Sequence, residues 1–252
     1  MSRRIVIFVA LSLLALESAG TRAPALTVSA DGPPMTGAPA VSQRLLAALR
    51  SKIPIEPVAS AGDPYLVLHA DPPLATAGTL CGVRFEPDQV HYRLSTFASP
   101  EAARAAGFAA THVGACGTCS TLQDLAVYLE KPDLTAPVRH CGISWDASGS
   151  LKCLEGLGFS DACAHTWLYN LENTRRQCFS VCILSWIRGE SATQSDGRLN
   201  ACLQCDEDRS GPIFKATAGR TRRNSGIRSS IPRPSEEIAP IVHDYVPDLA
   251  PR

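Results

Sequence analysis

Ten cysteines, all between Cys81 and Cys205, constrain this chain more than any other feature. An even number at that density reads as a disulfide framework in a protein folded outside a reducing compartment. Each native bridge stabilises a fold by about 2–4 kcal/mol, chiefly by restricting the unfolded chain. Five bridges would therefore let a modest apolar core suffice. The framework set is Cys81, Cys116, Cys119, Cys141, Cys153, Cys163, Cys178, Cys182, Cys202 and Cys205. Spacing alone does not assign the pairs: eight cysteines allow about 105 connectivities and ten allow about nine times more.

The N-terminus supplies the reason for oxidation. Arg3-Arg4, the apolar run Ile5 to Leu16 and the small residues Ser18-Ala19-Gly20 are the parts of a secretory signal peptide over residues 1–20. The run is too short to span a bilayer, which takes about 20 residues. A secreted or periplasmic location is expected, with no membrane span after signal removal. Residues 21–62 are rich in Ala, Pro and Gly and read as a flexible leader. Within it Leu45, Leu46 and Leu49 share one face of a possible short helix. There is no Asn-x-Ser/Thr sequon.

The 24 basic and 24 acidic residues cancel, so no global field favours nucleic acid. The charge is uneven, however. Residues 209–252 read as an extended tail, basic at first and then Pro-rich and mildly acidic. Arg209 to Arg233 holds seven basic residues and no acid. Arg220, Arg222, Arg223 and Arg228, interspersed with Gly, Ser and Thr, form a candidate anion site. The partner expected there is an acidic protein or an anionic surface.

Between leader and tail, residues 63–208 read as one cysteine-rich α+β domain: a small antiparallel sheet followed by a disulfide-rich helical region. Tyr65 to Leu68 is a short apolar run suited to a strand. Val83 and Phe85, then Val90, Tyr92 and Leu94, alternate with polar residues around a turn at Pro87, the pattern of a hairpin. Ser99-Pro100-Glu101 opens a helix. Ser120 and Gln123 form a capping box for a second helix, with Leu122, Leu125, Ala126 and Leu129 inward and Lys131-Pro132 as its stop. The longest helix spans Ser160 to about Trp186. Its apolar stripe gathers Cys163, Cys178, Cys182, Trp167 and Trp186 as core, and Trp145 is also expected in the core. Cys178 and Cys182, one turn apart, are each placed to reach a different partner.

Two chemistries compete with the framework. Cys116-Gly117-Thr118-Cys119 at the opening of a helix resembles, locally, the active-site turn of thioredoxin-like oxidoreductases. That resemblance implies a redox enzyme in which Cys116 attacks and Cys119 resolves. A helix N-terminus favours the thiolate this requires. The same pair with Cys202 and Cys205 also has the form of a four-cysteine zinc site, and His112 and His140 would be needed for a copper variant. The framework reading expects no metal and no cofactor. His165 lies far from the cysteine stripe, and Asp124 reads as a first-turn acid. No Ser-His-Asp order, phosphate loop, HExxH or dinucleotide fingerprint is present. The leading function is a disulfide-stabilised binding or structural protein.

Overall fold

Alternation between residues 80 and 97 builds the centre of the sheet. In the computed structural model, which describes residues 42–60, 62–67, 78–144, 146–231 and 234–246, strands β2 (Leu80–Phe85) and β3 (His91–Phe97) form the expected hairpin, with Val83 opposite Leu94 and Phe85 opposite Tyr92. Gln89 takes φ 58° in the turn, and Asp88 accepts from the Val90 and His91 amides. Two further strands complete the order β1-β3-β2-β4. Strand β1 (Ile53–Pro54) lies parallel to β3, and β4 (Ala109–Val113) lies antiparallel to β2, with an irregularity at Cys81/Gly82. The apolar run at Tyr65 forms no strand. Asp63 caps a single 3-10 turn at Pro64–Leu66, because a capping acid followed by proline favours a turn. Leu68 lies outside the described residues.

Eight α-helices surround the sheet among the described residues. Helix α1 (Gln43–Arg50) is capped by Ser42 and buries Leu46 and Leu49 in the same core as Leu125 of α3. It lies in the stretch expected as leader. Helix α2 (Pro100–Ala105) begins at Ser99 as its sequence requires. Helix α3 (Leu122–Glu130) starts one residue later than expected. Thr121 Oγ1 accepts from the Asp124 amide and donates to the Asp124 carboxylate. Ser120 is unavailable as a cap, because its hydroxyl already meets His112 and the Gly117 amide. Helices α4 (Thr135–Cys141) and α5 (Ala147–Gly156) lead to α6 (Asp161–Ile187), 27 residues long and capped by Ser160. Helices α7 (Ala201–Arg209) and α8 (Gly211–Ala218) pack back on α6.

The fold is thus α+β, as expected, with five disulfides. One apolar cluster runs from Leu46 and Leu49 through Val83, Tyr92, Leu122, Leu125, Leu154 and Cys163 to Phe214, Ile227 and Val246. Packing therefore passes both boundaries drawn from composition. Residues 211–246 contribute Phe214, Ala218, Ile227 and Val246 to the interior, so the stretch after Arg209 does not hang free as an arm. The reason is that its basic composition conceals an apolar residue every few positions. The expected signal peptide, residues 21–41 of the leader, Trp145 and Arg233 lie outside the described residues. No helix among the described residues is long and apolar enough to cross a membrane.

Candidate functional site

The sulfurs come first, because they decide between the chemistries. The bridges are Cys81–Cys116, Cys119–Cys163, Cys141–Cys153, Cys178–Cys205 and Cys182–Cys202, with no free cysteine. The dithiol expected at Cys116 and Cys119 is corrected by this connectivity. Cys116 is tied back to β2 and Cys119 across to α6, so the two do not share a bond. The four candidate zinc ligands, Cys116, Cys119, Cys202 and Cys205, sit in four different bridges. An oxidised sulfur offers no thiolate to a metal. No group of three or more metal-ligating side chains occurs among the described residues. Cys178 and Cys182 do reach separate partners, both on α7.

The loop that carries Cys116 and Cys119 is locked by backbone. The Thr118 and Cys119 amides donate to the Thr217 and Ala218 carbonyls at 3.0 and 2.9 Å. A Cβ on Gly117 would strike the Thr217 carbonyl, and one on Gly219, at φ +70°, would strike the Gly117 backbone. Two glycines are required for this approach. Beside it His112 Nε2 lies 2.8 Å from Ser120 Oγ, which superficially has the form of a nucleophile with its base. Both residues are wholly buried. Burial, then the nearby Arg220 charge, lowers the His112 pKa to about 3. The polar atoms of both side chains are engaged within the protein, so the pair is part of the scaffold.

The four arginines of the expected anion site do not form one exposed cluster. Arg220 is fully buried and donates to the carbonyls of Thr111, Cys119 and Ser120 and to the hydroxyls of Thr111 and Ser225. It joins β4, the cysteine loop and the chain after α8. Arg222 donates to the carbonyls of Tyr128 and Lys131. Arg223 pairs with Glu207 and Glu237. Arg228 alone of the four is exposed. A run of arginines looks solvated in sequence, but a guanidinium can satisfy several loop carbonyls at once.

A concave feature among the described residues lies elsewhere, along one side of α6. A groove of about 630 Å³ is walled by α4, α6, α7, α8 and residues 221–231. Its apolar lining includes Leu134, Val138, Leu171, Phe179, Ile183, Trp186, Leu203 and Phe214. Several of these face solvent: Phe179 is 53 % exposed and Trp186 is 71 % exposed. Trp186 is therefore not core, contrary to the helical-stripe expectation. Trp167 does pack into the core, against Phe159 and Phe214.

The polar groups of the groove divide into two sets. Each acid that lines the groove has a donor. Asp206 accepts from Thr174 and Asn170, Glu207 pairs with Lys215 and Arg223, and Glu190 meets Ser185 and Arg188. Burial raises the Asp206 pKa, with Thr174 and Asn170 pulling the other way. At the α3 end the imbalance is reversed. Tyr128 Oη and Trp167 Nε1 are both buried and have no hydrogen-bond partner among the described residues. The indole lies close enough to hold the Tyr128 pKa down slightly, but the pair misses hydrogen-bond geometry. Even a bond from the indole N–H to the phenol oxygen would leave the phenol proton without an acceptor. Burial first, and the Asp124 carboxylate second, push that pKa well up, so the phenol remains a donor.

No sequence signal pointed to the groove. Trp167 reads only as a core residue, Tyr128 carries no signal of its own, and α4 and α8 are not assigned from sequence.

Among known proteins, the model of a family of unknown function, DUF8771, matches residues 147–241. No curated protein and no solved structure matches the chain. The matched stretch is not closed on itself here: Cys153 is bridged to Cys141 and Cys163 to Cys119, both outside it.

Proposed function

We propose that this chain is an exported, disulfide-stabilised binding protein that takes an elongated apolar small molecule in the groove along α6. The observation that supports this reading is the pairing of a mostly apolar concavity with two unpartnered donors among its lining residues, Tyr128 and Trp167. Ligand sites of about 300–1,000 Å³ have this make-up, apolar walls with a few placed polar groups, and the 630 Å³ groove falls within that range. The contiguous exposure of Ile143, Phe179, Ile183 and Trp186 supports it further, since a soluble surface seldom leaves such a patch without use. Five bridges and no free thiol support an oxidising compartment.

The test uses the uncharged dye N-phenyl-1-naphthylamine, whose emission rises in apolar surroundings. The oxidised, mature protein should bind it saturably, near one dye per chain. Ile183→Asp, placed at the half-exposed rim, should weaken binding at least tenfold while leaving the far-UV circular dichroism unchanged. Absence of saturable binding, or equal binding by a folded Ile183→Asp protein, overturns the proposal.

A further inference from the structure

Resting on the groove reading, we infer that the ligand is an apolar carboxylate, seated with its charged end inward against Tyr128, Trp167 and Arg222. Each acid that lines the groove already has a donor, as described above, and acids repel an incoming anion, so that side does not suit a carboxylate. The α3 end has donors in surplus. Tyr128 Oη–H and Trp167 Nε1–H both lack acceptors. Both residues line the groove, as does Arg222.

Arg222 adds sign to the imbalance. Its guanidinium carbon lies 5.6 Å from the centre of the Tyr128 ring. Its two terminal nitrogens donate to carbonyls at the C-terminal end of α3, whose partial negative charge offsets only part of the guanidinium charge. No carboxylate forms an ion pair with it among the described residues. Asp133 acts on it only at longer range. A half-buried cation without a counter-ion, beside two donors without acceptors, is a site for an anionic oxygen. Hydrogen bonds to an ionised acceptor are roughly twice as strong as neutral ones. An alcohol or ester could take one donor, but it would leave the Arg222 charge uncompensated.

A carboxylate is preferred to a phosphate on size and number. The surplus is two hydrogens and one charge, which matches two oxygens and one charge. The remaining walls are apolar, and Leu134, Val138, Leu171 and Phe214 suit a hydrocarbon body.

Displacement of N-phenyl-1-naphthylamine by dodecanoate, dodecanol and methyl dodecanoate, below their critical micelle concentrations, tests the assignment. Dodecanoate should displace the dye at a concentration about tenfold or more below the other two. Tyr128→Phe should reduce that preference, measured against the variant's own dye affinity, to threefold or less. Because the Tyr128 hydroxyl has no partner in the free protein, its removal should not lower the unfolding temperature, so loss of folding does not obscure the result. Equal displacement by the three compounds, or a Tyr128→Phe protein with its preference intact, overturns the carboxylate assignment while dye binding still stands. Failure of the dye itself to bind defeats the groove reading instead.

Discussion

Replacing Arg220 by methionine probes the segment that composition marks as a solvated basic arm. The methionine retains much of the volume and removes every donor. The carbonyls of Thr111, Cys119 and Ser120 then lose the guanidinium that meets them at 3.0–3.1 Å, and the hydroxyls of Thr111 and Ser225 lose it too. A buried polar group left unsatisfied costs about 1–3 kcal/mol. Three carbonyls that share one donor relax together, so their losses do not sum. Breaking a buried charged network typically costs about 3–5 kcal/mol, and we expect about 4 kcal/mol here. Arg220→Lys keeps the charge with fewer donors and no planar fork, and should lose about half as much. The assay is urea unfolding of the oxidised protein, followed by far-UV circular dichroism and tryptophan fluorescence, with binding to a heparin column measured on the same samples. A structural Arg220 predicts a large fall in the urea midpoint for Arg220→Met. An Arg220→Met protein within about 1 kcal/mol of wild type, with weakened heparin binding, would refute the reasoning and restore the external anion site.

Native mass spectrometry after alkylation should find no free thiol, and disulfide mapping should join Cys116 to Cys81 and Cys119 to Cys163; a Cys116–Cys119 peptide would reinstate the redox enzyme. Gly219→Ala adds a side chain at φ +70° against the Gly117 backbone and should lower stability by about 3 kcal/mol or more, read as a fall in thermal midpoint. Burial, and the Arg220 charge after it, holds His112 near pKa 3 and His243 near 4, both below the ordinary imidazole value of about 6.5. Depressed folded values mean that this stabilisation is complete above about pH 6.5 and is lost as pH falls through about 4 and 3. Between pH 7 and 5 the unfolding free energy should fall by up to about 4 kcal/mol, opposed by the raised carboxyls of Asp124 and Asp206, while the nuclear magnetic resonance signals of both imidazoles stay in their neutral positions. Movement of those signals by pH 5 would disprove the depressed values.

Local chemistry was legible wherever neighbours in sequence are neighbours in space. Ser99-Pro100 and Ser160 begin helices as their residue types require, and the Pro87 hairpin keeps its alternation. The i, i+4 spacing of Cys178 and Cys182 pointed to two separate partners, and the Cys202-x-x-Cys205 turn supplies both. What could not be read was decided at long range. Ser120 fits a cap by type, yet His112, eight residues earlier, takes its hydroxyl, and the cap passes to Thr121. Arg220 gives no sequence sign that Thr111 and Cys119, about a hundred residues away, will surround it. The groove was hidden for a geometric reason. Helical periodicity places Trp186 on the same stripe as Cys163, but a helix of 27 residues is about 40 Å long. Its second half is covered on one side by α7, through Cys178 and Cys182, and leaves Phe179, Ile183 and Trp186 exposed on another.

Cys178–Cys205 and Cys182–Cys202 cross between α6 and α7 one helical turn apart, like two rungs of a ladder. A helix joined to its neighbour by two such rungs cannot hinge or slide when the space beside it is empty. If the groove takes a ligand as proposed, that wall should keep one shape, and no ordering of it should accompany capture. Uptake in a stopped-flow trace should be a single exponential whose rate climbs linearly with dye concentration, with no plateau from a slow opening step.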